Sequence, residues 1–108
     1  MGLPMARHLL KAGHEVTLWT HSASKAAELA KEGKGTACAT PKEVAEKSDF
    51  IFYCVGDSRM DRTITTGPNG LIHGVRKGAI IADCSTVSPA VSLEIGAQFA
   101  AKGAEFLD

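Results

Sequence analysis

Cysteine is scarce and poorly placed for chemistry. The three thiols, Cys38, Cys54 and Cys84, are odd in number and far apart. None stands in a C-x-x-C or other ligand spacing, so neither a structural zinc site nor a disulfide framework is expected. Cys54 and Cys84 lie in apolar, strand-like runs, where a free cysteine behaves as a small buried hydrophobe. A reducing, cytoplasmic setting follows as the expectation, with no metal. No charge of one sign prevails: twelve basic side chains balance twelve acidic ones. Neither nucleic acid nor an anionic membrane surface is therefore expected as a partner. No apolar run approaches the roughly 18 residues of a membrane span. The opening MGLPMARHLL lacks the basic leader, apolar stretch and cleavage site of a signal peptide. No repeat, low-complexity stretch or linker divides the chain, and its 108 residues suffice for one small domain.

What is there is an alternation of helical and strand-like segments, in a chain of ordinary apolar content, 44%. Residues 3–12 read as a helix, with Pro4 tolerated in its first turn and Gly13 as its stop. Residues 15–20, EVTLWT, are β-branched and short, a strand. Ser22 or Ser24 caps a second helix reaching about residue 32. After Gly33 and Gly35 comes a short strand near residues 36–39. Thr40, Pro41 and Glu43 form the capping box of a third helix. FIFYCV, residues 50–55, is continuously apolar, as expected of a strand buried on both faces. A weak helix over residues 57–64 leads to the turn cluster Gly67-Pro68-Asn69-Gly70. AIIADC, residues 79–84, is another buried strand. Ser88 caps a long helix with Pro89 at its first position and Gly103 after its end; a last strand begins at residue 104. Strands separated by helices of this length predict βαβ units: an α/β fold with a parallel sheet.

The chain opens directly on a helix, where an α/β fold places a strand first, and its last strand stops at Asp108. The expectation is a piece of a longer chain.

Gly2 begins the first helix, where a glycine permits close packing and backbone N–H groups can meet a phosphate. Alone it is only a small residue at a terminus. From Gly2 to Thr20, at the end of the next strand, is 18 residues, the spacing from a glycine loop to the ribose-reading position of a dinucleotide fold. MGLPMARHLLKAGHEVTLW resembles the first helix and second strand of the β-hydroxyacid dehydrogenases, the family of 3-hydroxyisobutyrate dehydrogenase and tartronate semialdehyde reductase. Met1-Gly2-x-Pro4-Met5-Ala6 matches the second half of their loop GLGxMGxPMAxNL. The resemblance continues through residues 67–89, where Asp83-Cys84-Ser85-Thr86-Val87-Ser88-Pro89 carries the family's DxSTxxP segment intact. It covers essentially the whole chain.

The resemblance implies a Rossmann-like, doubly wound parallel sheet lacking its first strand: a partial NAD(P)-binding domain over residues 1–108, without the helical second domain that builds the homo-oligomer in relatives. It implies that Met1 and Gly2 belong to the cofactor loop, that Thr86 lies beside the nicotinamide, and that Ser85 next to it meets substrate. The bland reading of Ser85 and Thr86 is that they satisfy local backbone groups. Val55 and Gly56 leave a buried strand where relatives carry a pair such as Leu-Pro against the cofactor; Gly56 still permits close backbone approach. Asp57 either caps the following helix or touches ligand. Met60 carries no assigned role.

Cofactor choice falls to Thr20, His21 and Ser22. A carboxylate at this strand end holds the ribose 2′-hydroxyl of NAD and repels a 2′-phosphate. Here it is replaced by hydroxyls and an imidazole, with Lys25 nearby. The expectation is NADP in preference to NAD, although the arginine common in NADP-using relatives is missing. His8, His14 and His73 have no partner spacing, and Arg76 and Lys77 read as a solvated loop.

No lysine here matches the family's catalytic position, which falls beyond Asp108, so no catalytic residue is assigned. The implied activity is hydride transfer between nicotinamide and a small β-hydroxy acid or its semialdehyde. The alternatives are an imine reductase or a glyoxylate or succinic semialdehyde reductase of the same superfamily, or a non-catalytic dinucleotide-binding module. Without a first strand, the strands over residues 15–20 and 50–55 would keep unpaired edges, and the isolated chain is expected to be marginally stable and to aggregate.

Overall fold

The structure is a computed structural model that describes residues 2–55, 57–84 and 88–107. Its elements run α1 (Gly2–Lys11), β1 (Val16–Leu18), α2 (Ala23–Ala30), β2 (Gly35–Ala37), α3 (Pro41–Glu46), β3 (Phe50–Tyr53), α4 (Ser58–Thr66), a 3₁₀ turn (Leu71–His73), β4 (Ile80–Asp83), α5 (Pro89–Ala101) and β5 (Glu105–Leu107). This is the expected α/β alternation. All ladders among the described residues are parallel, in a two-stranded sheet β1-β2 and a three-stranded sheet β3-β4-β5. The chain divides into two compact units, Met1–Thr40 and Pro41–Asp108.

In the first unit, α1 and α2 frame the short sheet. Leu10, Leu18 and Leu29 are buried together, with Ala6, Val16 and Ala30 packed against them. Gly13, at φ +91°, ends α1 in the left-handed region that a side chain resists. Gly35 is required by a close approach: a Cβ there would stand 2.6 Å from the Cα of Ala30. Ser22 holds the N-cap position of α2, yet its side chain makes no capping bond; its Oγ lies 3.2 Å from that of Ser24 instead. The expected serine cap is therefore corrected in kind: the position is right and the bond is absent.

In the second unit, α5 shows why local signals suffice. Pro89 opens it, and Ser88 Oγ accepts from the Val91 N–H at 3.3 Å. Its buried residues Val91, Ser92, Ile95 and Phe99 form one face, and Phe99 stacks on Phe106 of β5 at 5.8 Å. On α4, Asp61, Ile64 and Thr65 are buried at the i, i+3, i+4 spacing of one helix face. Ile51 and Ile81, register partners on β3 and β4, complete this core.

The strand over residues 50–55 departs from expectation. Ile51 is buried, but Phe50 and Phe52 are 50% and 44% exposed, and they meet each other at 4.7 Å. β3 thus buries one face, not two. The cysteines depart as well: Cys84 is exposed and Cys54 only half-buried, because both follow the strands instead of lying within them. Arg76 is more than a solvated loop residue. Its Nε donates to the Glu46 carbonyl at 2.9 Å and its Nη1 to Asp49 at 3.1 Å. Among the described residues, no helix is long and apolar enough to cross a membrane, and no group of three or more His, Cys, Asp or Glu could hold a metal.

Candidate functional site

Two sets of residues gather at the carboxyl ends of strands, the edge at which open parallel sheets bind ligands. The first lies in the unit Met1–Thr40. Gly2 starts α1, whose first turn carries no acidic side chain. β1 ends at Leu18, and Trp19, Thr20, His21 and Ser22 follow in the loop to α2. Trp19 Nε1 donates to the Ala39 carbonyl at 3.1 Å, which ties this loop to the segment after β2. The His21 ring meets Trp19 edge-on at 4.9 Å. His21 is exposed, and Thr20 and Ser22 are half-buried. The three residues therefore form a polar loop beside an indole anchored to the segment after β2.

The second set lies in the unit Pro41–Asp108. Val55 follows β3 and is half-buried. Asp57 caps α4, its Oδ1 accepting from the Met60 N–H at 2.9 Å, one of the two roles expected of it. Met1, Gly56, Ser85 and Thr86 lie outside the described residues. The flanks of residues 85–87 are defined: Asp83 ends β4, Cys84 N–H donates to the Tyr53 carbonyl at 2.9 Å, and Ser88 caps α5. The Cys54 thiol donates to the Cys84 carbonyl across 3.7 Å, so the two strand ends are joined by both backbone and side chain.

Beneath this edge sits a group that sequence reasoning passed over. Tyr53 and Asp83 are register partners at the ends of β3 and β4, so their side chains leave the same face. The Tyr53 hydroxyl stands 2.7 Å from Asp61 Oδ1 and 3.0 Å from Asp83 Oδ2. Asp61 is wholly buried, and its Oδ2 has no hydrogen-bond partner among the described residues. Burial first, and then the hydrogen bond with Asp83, pushes the Asp61 carboxyl up to about 7, against the opposing effect of the Tyr53 hydrogen bond. Burial, followed by the hydrogen bond to Asp61, also drives the Tyr53 phenol well above its ordinary value, so it stays protonated. The available signal was an aspartate on the apolar face of a helix, three and four residues before Ile64 and Thr65.

A family model for the NAD-binding domain of 6-phosphogluconate dehydrogenase matches residues 1–108. An uncharacterised oxidoreductase of Shewanella frigidimarina is 39% identical over the whole chain, which spans 37% of that relative. The cytokine-like nuclear factor N-PAC of Xenopus tropicalis is 35% identical over the whole chain, which spans 20% of it. Mouse mitochondrial 3-hydroxyisobutyrate dehydrogenase is 35% identical, again over the whole chain, which spans 32% of it. Among solved structures, Psf3 in complex with NADP+ and 2-OPP aligns with a TM-score of 0.88 at 26% identity, over 98% of this chain and 37% of its own. The 3-hydroxyisobutyrate dehydrogenase of Salmonella typhimurium aligns with a TM-score of 0.85 at 26% identity, over 97% of this chain and 36% of its own. The fold is thus Rossmann-like.

Proposed function

The chain belongs to the family of the NAD-binding domain of 6-phosphogluconate dehydrogenase, and from that premise we propose that it binds the cofactor of an NAD(P)-dependent oxidoreductase whose substrate is a small β-hydroxy acid or its semialdehyde. The observation that carries this reading is the whole-chain similarity to 3-hydroxyisobutyrate dehydrogenase, together with the intact Asp83–Pro89 motif at a strand's carboxyl end. The dehydrogenase activity is proposed for a protein in which this domain is one part.

The residues fit a dinucleotide. Helix α1 begins at Gly2 with no acidic side chain in its first turn, which suits a pyrophosphate held by Met1 and Gly2. Thr20, His21 and Ser22 supply hydroxyls and an imidazole, and no carboxylate, where the adenosine ribose is read. That donor set suits the 2′-phosphate of NADP and offers little to hold the 2′-hydroxyls of NAD. Val55 and Gly56 would lie against the cofactor, Thr86 would hold its nicotinamide end, and Ser85 would meet substrate. A bound nicotinamide supplies or accepts the hydride. This chain's part is to bind and orient it, because the residue that moves the proton is not assigned here.

A second reading rests on the N-PAC similarity, 35% identity over the whole chain to a protein named as a nuclear factor and not as an enzyme. In that reading the domain binds a dinucleotide without turning it over. Expression of the complete open reading frame, with NADPH and then NADH absorbance followed against short semialdehydes, separates the two. Cofactor oxidation with any of them supports the dehydrogenase; dinucleotide binding without turnover supports the module.

A further inference from the structure

The ladder between β3 and β4 runs one bond past the last residues of the two strands. Tyr53 and Asp83 are the final register partners, and beyond them the Cys84 N–H still donates to the Tyr53 carbonyl at 2.9 Å. The next pair along is therefore Cys54 and Cys84, both free thiols. Neighbouring positions on parallel strands send their side chains to the same face, from backbones about 4.8 Å apart. A disulfide spans Cα atoms about 4.4–6.8 Å apart, so the strand spacing suits one. The side chains agree with the backbone. The Cys54 thiol donates to the Cys84 carbonyl across 3.7 Å, which sets its sulfur against the main chain of Cys84.

We propose that Cys54 and Cys84 form a reversible redox-modification site, closed to a disulfide by small-molecule disulfides of the glutathione class and reopened by dithiols. The proposal is independent of the dinucleotide-binding reading.

The difference in exposure sets the order of events. Cys84 is exposed and Cys54 half-buried, so an incoming disulfide meets Cys84 first. The Cys84 thiolate attacks one sulfur of oxidised glutathione. That S–S bond breaks, and one glutathione leaves as a thiolate that takes up the proton Cys84 released. Cys54, deprotonated in turn, attacks the Cys84 sulfur of the mixed disulfide, and the second glutathione leaves with that proton. Two protein thiols and one glutathione disulfide become one protein disulfide and two glutathione thiols. The exposed Cys84 side chain can change rotamer toward Cys54 without displacing the core.

The third thiol, in the unit Met1–Thr40, supplies the contrast. Cys38 likewise follows a strand, and its N–H donates to the Leu18 carbonyl at 2.8 Å. The residue opposite it, one step past the Leu18–Ala37 pair, is Trp19 and not a cysteine. Cys38 is therefore expected to take glutathione as a mixed disulfide at most.

The test is peptide mapping of the protein expressed from its complete open reading frame, incubated folded with oxidised glutathione, alkylated and then cut with trypsin. The peptides of residues 48–59 and 78–102, which hold Cys54 and Cys84, are expected to be recovered linked to each other. Both cysteines should lose their free-thiol signal, and dithiothreitol should restore it. Cys54→Ser removes the resolving thiol, so in that variant Cys84 should keep glutathione as a stable mixed disulfide. Glutathione retained on Cys84 of the natural protein, with no linked peptides, overturns the proposal. A Cys84 that stays a free thiol under the same treatment, or that links to a cysteine other than Cys54, overturns it as well.

Discussion

Tyr53 and Asp83 stand side by side at the ends of neighbouring parallel strands, hydroxyl to carboxylate at 3.0 Å, and the same hydroxyl meets the buried Asp61 at 2.7 Å. Stability should depend on pH through this group. The folded Asp61 carboxyl lies at about 7 against an ordinary 3.8, so the folded chain binds this proton more tightly than the unfolded one. Its contribution is fully present below about 4 and is lost as pH rises through about 7. Tyr53→Phe removes the donor between the carboxylates. It should cost about 1–3 kcal/mol near pH 8, where a buried charge loses its hydrogen bond. Near pH 5 it should cost less, since a protonated Asp61 can then donate to Asp83 directly. Thermal melts of both proteins at the two pH values check this; an equal loss at both would rule out an Asp61 carboxyl that titrates between them.

The two serine caps are expected to separate. Ser88 Oγ accepts from the Val91 N–H, so Ser88→Ala should destabilise by about 1 kcal/mol and lower the melting temperature by several degrees. Ser22 caps nothing, so Ser22→Ala should leave the melt within about 0.5 kcal/mol. If Ser22 meets the cofactor's ribose phosphate, its loss appears instead in NADPH affinity. Denaturation curves and NADPH titrations on the two variants measure this pair of opposite outcomes.

What could be read in advance follows the range of the physics. The α5 start was legible because Ser88 and Pro89 act within one turn, and the ends of α1 and α5 because Gly13 and Gly103 take φ of +91° and +78° there. Strand ends were read long by one or two residues, as with 15–20 against Val16–Leu18, since β-branched character does not stop where pairing stops. Ser22 could not be known to leave α2 uncapped, because that is set by a hydroxyl's direction. Burial of β3 was misread at Phe50 and Phe52, for an apolar run reports what a strand prefers and not whether anything covers it. Asp61 was passed over for a related reason: its role arises from Tyr53 and Asp83, 8 and 22 residues away in the chain, brought together only by β3–β4 register. Of the proposed cofactor and substrate residues, the structure places Gly2, Thr20, His21, Ser22 and Val55 at element starts or strand ends, while Met1, Gly56, Ser85 and Thr86 lie outside the described residues.

Cofactor preference is open to a single substitution. Thr20 follows β1 where a carboxylate would select NAD, and no carboxylate is present there. Thr20→Asp should raise the Kd for NADPH by about tenfold or more through repulsion of the 2′-phosphate, and leave NADH binding unchanged or tighter. His21→Ala should weaken NADPH several-fold with little effect on NADH. Binding titrations of both cofactors to both variants decide it. A natural protein that already favours NADH would sink the NADP preference.

The exposed face of β3 carries the last expectation. Phe50 and Phe52 project from the same side of the strand, half exposed and 4.7 Å apart, and on β5 Leu107 is 53% exposed. Register aligns Phe52 with Ala82 and Ala82 with Leu107, so these side chains share one apolar sheet face. Among the described residues β3 pairs only with β4, and an unpaired strand edge is a row of backbone donors and acceptors that can template a second chain. The 108-residue chain produced alone should therefore be prone to self-association. Phe52→Lys places a charge beside that open edge and should raise the concentration at which the chain stays monomeric by about tenfold. Its effect on stability should be within about 1 kcal/mol, because the ring is already half in water. Light scattering against concentration, paired with a denaturant melt, separates the two effects. A natural chain that stays monomeric at high concentration and melts sharply and reversibly would show that the open edge and the phenylalanine pair are harmless.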